Sequence, residues 1–135
     1  MADVATRLRN FLLTKTAITD LVGRRICETK PAQHLASPYI CFDNVSSENA
    51  DVLNASVGDE PLNWGLSIQA VGTDEARVKT LTAALRTALH AYRGTFDDTT
   101  AKGIFVDSQS VNLDRFTDGS DLGYFIGSSE TRIFL

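Results

Sequence analysis

The sequence predicts an α+β fold, a single domain in which two or three helices pack on one face of a largely antiparallel sheet. Three segments carry apolar residues at helical spacing, and the segments with strand-like alternation outnumber them. The last two strands are separated by the turn signal Asp118-Gly119, as in an antiparallel hairpin. Layers of this kind bury the apolar stripe of each helix against the sheet, and 135 residues fit one such domain.

The composition is that of an ordinary globular protein, because 43% of the residues are hydrophobic and 22% are charged. The net charge of −4, with no basic cluster beyond Arg24-Arg25, disfavours gripping of a DNA backbone. No apolar run approaches the ~20 residues that cross a bilayer, and the N-terminus lacks the pattern of a signal peptide. We expect a protein made and folded in a cytoplasm.

Two short helices are expected at the N-terminus. The first has the apolar stripe Val4, Leu8, Phe11 and Leu12. Its polar residues, expected to face water, are Arg7, Arg9 and Asn10. The second helix turns inward Ile18, Leu21 and Val22. It ends at Gly23, where a left-handed cap would stop the helix.

The first strands are expected at residues 25–28 and 39–45, joined by a loop over residues 29–36. Pro38 cannot donate a ladder hydrogen bond, so it belongs at the start of the second of these strands. A third strand alternates around Trp64, with one face on the core.

The segment from residue 46 to residue 63 has no clean period, although it contains Val52, Leu53 and Val57. Loops of this length are uncommon in compact domains. It is either a hairpin-like excursion or an interaction arm whose apolar residues bury against a neighbouring subunit.

The long central helix is expected to be capped by Thr73 and to run to about Arg93, with Gly94 just after it. A polar connection over residues 96–102 follows. The next strand spans residues 103–116, and its apolar phase shifts, which indicates a bulge near residues 108–110.

The last strand, residues 124–135, has one face of mixed character that suits assembly. Apolar and polar side chains alternate there at Tyr124, Ile126, Ser128, Glu130, Arg132 and Phe134.

No catalytic, cofactor or metal site is predicted. His34 is interpreted as a solvated loop residue and His90 as a partly exposed residue near the negative end of the long helix. Cys27 and Cys41 are interpreted as small buried residues, since neither a disulfide nor a metal site has support from their surroundings. The acidic clusters at residues 97–98 and 114–121 are typical of solvated turns rather than of a calcium loop.

Three motifs resemble the tail-completion, or tail-terminator, proteins of long-tailed bacteriophages. They are Leu21-Val22-Gly23-Arg24-Arg25-Ile26, Pro38-Tyr39-Ile40, and the helical run from Ala84 to Leu89-His90. The resemblance implies a homo-oligomeric ring, commonly a hexamer, at the head-proximal end of the tail tube. Such a ring ends tube polymerisation and offers the surface to which the filled head docks.

The resemblance also implies the partners: further copies of the chain, the tail tube protein, and a head-tail connector or stopper protein, with DNA passing through the lumen without sequence-specific binding. The protein would be assembled in the bacterial host cytoplasm and located in the virion. The alternatives are a stopper or adaptor of the same neck, and a small hydrolase or ligand-binding module using His34 with Cys27 or Cys41.

Residues expected at a subunit or partner interface are the arginine pair, the residues of the arm and two acidic turn residues. They are Arg24, Arg25, Asp51, Val52, Leu53, Asn54, Val57, Asp118 and Asp121. Arginine is enriched at protein contacts and forks onto carboxylates, which is why the pair is included.

Overall fold

The computed structural model describes residues 4–29, 38–48, 63–115 and 123–135. Three helices and six strands follow one another along the described parts of the chain. In order they are α1 (Val4–Leu13), α2 (Thr16–Val22), β1 (Ile26–Cys27), β2 (Tyr39–Glu48), β3 (Asn63–Gly72), α3 (Glu75–Leu89), β4 (Tyr92–Phe96), β5 (Thr99–Arg115) and β6 (Gly123–Phe134).

The six strands form one sheet in the order β1-β2-β3-β6-β5-β4. All neighbours are antiparallel except the short β1, which runs parallel to β2. The helices lie on one face of the sheet and share a single core with it. The predicted α+β class, with helices on one face of a largely antiparallel sheet, is therefore confirmed.

The core contains the apolar stripes of all three helices and alternate residues of the strands. Leu66, Ile68 and Ala70 of β3 are buried in it, as their alternation predicted. Val71, from the opposite face of the same strand, is also buried, in a second and smaller cluster. The prediction that one face of β3 packs on the core is confirmed, and the structure adds a second apolar contact on the other face.

Helix α1 buries the predicted stripe, but its polar residues do not simply face water. Arg7 is 5% exposed, and its Nε donates to Asp98 Oδ1 at 2.7 Å. Arg9 donates through Nε to the carbonyl of Ile26 at 2.7 Å. The expectation that these residues face water was wrong for Arg7, which is buried, while Arg9 and Asn10 are partly exposed. The reason is that α1 crosses between the two ends of the strand order and its polar side chains reach both. The third of them, Asn10, donates to Asp97 Oδ2.

Helix α2 ends as the sequence predicted. Gly23 follows its last residue with φ of 59°, and its N–H donates to the Thr19 carbonyl at 2.7 Å. A side chain is disfavoured at such a φ, so glycine is the fitting residue for this turn.

Helix α3 is capped one residue later and ends earlier than predicted. Asp74, not Thr73, is the N-cap, because its Oδ1 accepts the N–H of Ala76 at 3.0 Å. The helix stops at Leu89, and Gly94 lies inside a strand instead of capping the helix. Ala91 makes this turn with φ of 62°.

The predicted polar connection over residues 96–102 is instead a tight hairpin. Phe96 of β4 pairs with Thr99 of β5, leaving Asp97 and Asp98 as the two turn residues. The pair is a turn, as expected, yet both carboxylates also bond to α1, as described above. Strand β4 was missed because its tyrosine continues the apolar spacing of α3.

Strand β5 carries the predicted bulge slightly earlier than expected, between Val106 and Ser108. Because of this bulge, Val106 and Val111 both contact the helix-side core although their spacing is odd. The antiparallel pairing of β5 with β6 confirms the predicted hairpin, whose turn lies outside the described residues.

Two strand limits differ from the prediction. The first strand is reduced to β1, and β2 continues to Glu48, past a register shift between Asp43 and Ser46. Of the predicted arm over residues 46–63, residues 46–48 belong to β2 and Asn63 to β3, and residues 49–62 lie outside the described residues.

Candidate assembly surfaces

The two arginines predicted at an interface have different surroundings. Arg24 is exposed, whereas Arg25 is half-buried and bonds within its own chain. Arg25 donates through Nε to the Pro38 carbonyl at 3.0 Å and through a terminal nitrogen to the Leu21 carbonyl at 3.5 Å. It therefore ties the end of α2 to the start of β2. The remaining predicted interface residues lie outside the described residues: Asp51, Val52, Leu53, Asn54, Val57, Asp118 and Asp121.

The sheet face without helices carries an aromatic–arginine cluster, defined by His90, Phe105, Asp107, Arg132 and Phe134. The rings of Phe105 and Phe134 meet edge to face, with centroids 5.8 Å apart. The Arg132 guanidinium lies 5.8 Å from the first ring and 5.6 Å from the second. Clusters of arginine and aromatic side chains are enriched where proteins contact one another.

A bidentate ion pair fixes the arginine of this cluster. Asp107 accepts Arg132 Nε at 2.7 Å and a terminal nitrogen at 2.9 Å. These hydrogen bonds lower the pKa of the Asp107 carboxyl below its usual value. Because both side chains are about half exposed, the pair mainly orients the guanidinium and adds little to stability.

His90 joins the end of α3 to β5. Its Nδ1 accepts the Val106 N–H at 3.1 Å, and its ring meets Phe105 edge to face at 6.2 Å. The residue is exposed at the C-cap of the helix, as the sequence predicted. Its role in the fold is to satisfy a strand N–H next to the bulge.

A second apolar cluster occupies the other end of the same sheet face. Tyr39, Cys41 and Val71 are buried there, with half-buried side chains packed around them: Cys27, Tyr124 and Ile126. Burial raises the pKa of the Tyr39 hydroxyl to about 12. The cysteines are reduced thiols in adjacent strands, and Cys41 is buried as expected while Cys27 is only half-buried.

Sequence reasoning found half of the aromatic–arginine cluster. The alternation of β6 indicated Arg132 and Phe134 as an assembly face. Phe105 and Asp107 join them only through the register of β5 against β6, which pairs Phe105 with Arg132. Phe105 is 37% exposed, which marks it as a surface aromatic residue in the structure. The sequence alone does not give this exposure.

The outermost strands are closed by side chains of their own chain. The Ile26 carbonyl of β1 accepts Arg9, and the Thr95 carbonyl of β4 accepts the Tyr92 hydroxyl at 2.6 Å. Both are acceptors that an added strand would use. A strand added at β1 or β4 would have to displace those hydrogen bonds.

Within the ranges that the structure describes, no group of three or more His, Cys, Asp or Glu side chains could hold a metal ion. No helix in those ranges has the length and apolar character needed to span a membrane.

One comparison with known proteins gives a family and another gives a fold. No curated protein sequence matches the chain. A chain in the solved structure titled "Virion of native gene transfer agent (GTA) particle" has the same fold, with a TM-score of 0.64 at 15% identity. The match covers 98% of this chain and 95% of that one. The model of the family "Tail completion protein gp17" matches residues 6–120. Because this match spans most of the sequence, the chain belongs to the tail completion protein gp17 family, a family of structural proteins of the phage tail.

Proposed function

We propose that this protein forms a ring at the head-proximal end of the phage tail tube, where it ends tube polymerisation and joins the tail to the head. The observation that carries the proposal is the family match over residues 6–120. The shared fold with a chain of a gene transfer agent virion supports a place in a virion. The ring, and not a reactive group, performs this function.

A ring needs a head-to-tail contact, in which one patch of a subunit meets a different patch of its neighbour. The aromatic–arginine cluster is one surface suited to such a contact or to a tail partner. The predicted arm, with Val52, Leu53 and Val57, is a second. A hexamer is the stoichiometry that the family resemblance implies.

The partners proposed are the tail tube protein on one side and a head-tail connector or stopper protein on the other. DNA would pass through the lumen without sequence-specific binding. The net charge of −4 supports this passage, because an acidic wall repels phosphates instead of holding them. Assembly would take place in the cytoplasm of the bacterial host.

The purified protein tests the ring directly. Mass photometry and negative-stain electron microscopy at micromolar concentration should show annular oligomers, alone or after addition of tail tubes. Separate incubation with tubes and with filled heads gives the order of attachment, and a terminator binds the tubes first. Binding to heads alone would make the protein a stopper or adaptor, and monomers under all conditions would contradict the ring.

The arm has its own test. Leu53→Asp should weaken ring formation while the circular dichroism spectrum stays unchanged, because a charge would replace an apolar contact at the neighbouring subunit. Ala83→Asp is the matched control, since it adds the same charge at an exposed position of α3. Equal assembly of the two variants would remove the arm from the interface.

A further inference from the structure

Two border segments of the sheet are paired with no strand among the described residues. Strand β4 pairs with β5 only as far as Ile104, and β1 pairs with β2 only at Ile40 and Cys41. Residues 107–115 of β5, the β5 border, and residues 42–48 of β2, the β2 border, are thus left at opposite sides of the sheet. Strand borders of this length are templates for pairing with another chain.

The two borders differ from the outermost strands, where Arg9 and Tyr92 occupy the free carbonyls. Residues 108–113 of the β5 border carry no charge, proline or glycine, the devices that usually block strand addition. Large exposed apolar side chains also lie here. Leu113 is 43% exposed on the β5 border, and Val45 is 41% exposed on the β2 border.

The borders occupy one diagonal of the sheet. Register places Ile40, beside β1, at the level of Val111, and it places Ser46 at the level of Phe105, beside β4. Helix α1 is hydrogen-bonded to the corners formed by β1 and β4, through Ile26 and Asp98. The β2 and β5 borders lie at the other two corners.

The strand directions fit a head-to-tail contact. Three successive antiparallel pairings separate β2 from β5, so the two strands run in opposite directions. Rotation about a ring axis preserves the sense in which a strand runs along that axis and the side on which the helices lie. In a closed sheet the strands are tilted and staggered, which brings the diagonally placed borders of neighbouring subunits to one level. The β5 border placed beside a neighbour's β2 border therefore continues the antiparallel alternation without a break.

We propose that the β5 border of one subunit pairs with the β2 border of a second copy of this chain, so that the sheets of the ring join into one continuous sheet. This inference rests on the proposed ring and identifies its contact. The register shift between Asp43 and Ser46 shortens the β2 border to six ladder positions opposite β3, which extend over ~20 Å. Main-chain hydrogen bonds supply the affinity in strand addition, while side chains such as Val45 and Leu113 set the register.

The test uses one charge on each border of the full chain. Val45→Lys blocks the β2 border, and Leu113→Lys blocks the β5 border. Each variant alone should sediment as a monomer of 14.7 kDa at concentrations where the wild type forms rings. Thr87→Lys, on the exposed side of α3, should assemble like the wild type.

Mixing the two variants gives the most specific result. Each retains the border that the other lacks, so the equimolar mixture should form heterodimers of about 29 kDa, twice the 14.7 kDa chain, and nothing larger. Homodimers of either variant would show pairing of a border with itself and would overturn the proposal. So would rings of both variants at wild-type yield, and that result would leave the ring itself established.

A wild type that stays monomeric even with tail tubes would instead contradict the proposed function. Circular dichroism confirms that the variants are folded. Should either lysine unfold its variant, Ser47→Lys and Ser110→Lys place the same charge at exposed positions of the same borders, with the same expected outcomes.

Discussion

The two faces of the sheet differ although the same strands form both. The covered face buries apolar residues of β3, such as Leu66 and Ile68, beneath three helices. The other face has two separate clusters, around Tyr39 and around Arg132, with the half-buried Ser128 between them on β6. Buried apolar contacts are therefore concentrated on the covered face, and the second face is the one proposed here for contacts with other proteins. Four measurements sharpen or break this comparison.

The largest effect is expected on the covered face, at Leu85 of α3, whose side chain is fully buried. Leu85→Ala should lower the free energy of unfolding by about 3 kcal/mol, because it removes buried methyl groups and leaves a cavity. Urea denaturation measures the change. The exposed Thr87→Ala is the control on the same helix, and a loss below about 1 kcal/mol for Leu85→Ala would contradict a close-packed layer.

The next effect concerns the distance between α3 and β6. A Cβ at Gly127 would clash with Thr82 Oγ1 and come 3.3 Å from Val78 Cγ1. Gly127→Ala should cost about 1–3 kcal/mol of unfolding free energy, because the helix has to move off the sheet. In Gly65→Ala the new Cβ would lie 3.6 Å from Ser46 Oγ, an ordinary contact. Equal midpoints of thermal unfolding for the two variants would rule out the close approach.

A smaller effect is expected where α1 meets the β4–β5 turn. Asp98→Asn removes the charge that pairs with Arg7, whose side chain is 6% exposed. The loss should be about 1–2 kcal/mol, since a buried guanidinium loses its carboxylate while the partner is half exposed. Asp97→Asn is the control in the same turn. The Asp97 carboxylate bonds to the uncharged Asn10 side chain, so this substitution should lower stability less. The reverse order in urea would contradict the pairing described here.

The smallest effect on stability is expected on the open face. Arg132→Gln should change unfolding at pH 7 by less than about 1 kcal/mol, because the ion pair with Asp107 is exposed. The pKa of Asp107 is below its usual 3.8, so the folded protein releases this proton more readily than the unfolded chain. The stabilisation is present above pH 4 and declines as the pH falls through the folded pKa.

Carbon-detected NMR of the Asp107 carboxyl follows this titration. In Arg132→Gln its pKa should return towards 3.8. An unchanged titration would mean that another group holds the carboxylate.

Local patterns made most of the fold predictable. The stripes of α1 and α2, the glycine after α2 and the phase shift of β5 are all written in neighbouring residues. The end of α3 is not, because Tyr92 continues the spacing of Leu85 and Leu89. Its ring instead packs in a tilted arrangement against Phe11, at a centroid distance of 4.8 Å, and this contact links residues far apart in the chain.

Contacts between residues far apart in the chain were harder to predict, both in the fold and at the candidate assembly surfaces. Arg7 is buried where it meets Asp98, which lies 91 positions away. Asp107 joins Arg132 through the pairing of β5 with β6, which brings together residues 25 positions apart. The signal for β4 was present, as two aspartates between short alternating segments, and could have indicated a hairpin.

The bonds from Arg9 to Ile26 and from Tyr92 to Thr95 also bear on aggregation. Exposed strands invite fibrils when newly synthesised molecules crowd together. With these carbonyls already occupied, indiscriminate stacking is discouraged at both extremities. In the proposed ring, copies of the chain pair through the β2 and β5 borders, and closure of the ring ends this pairing.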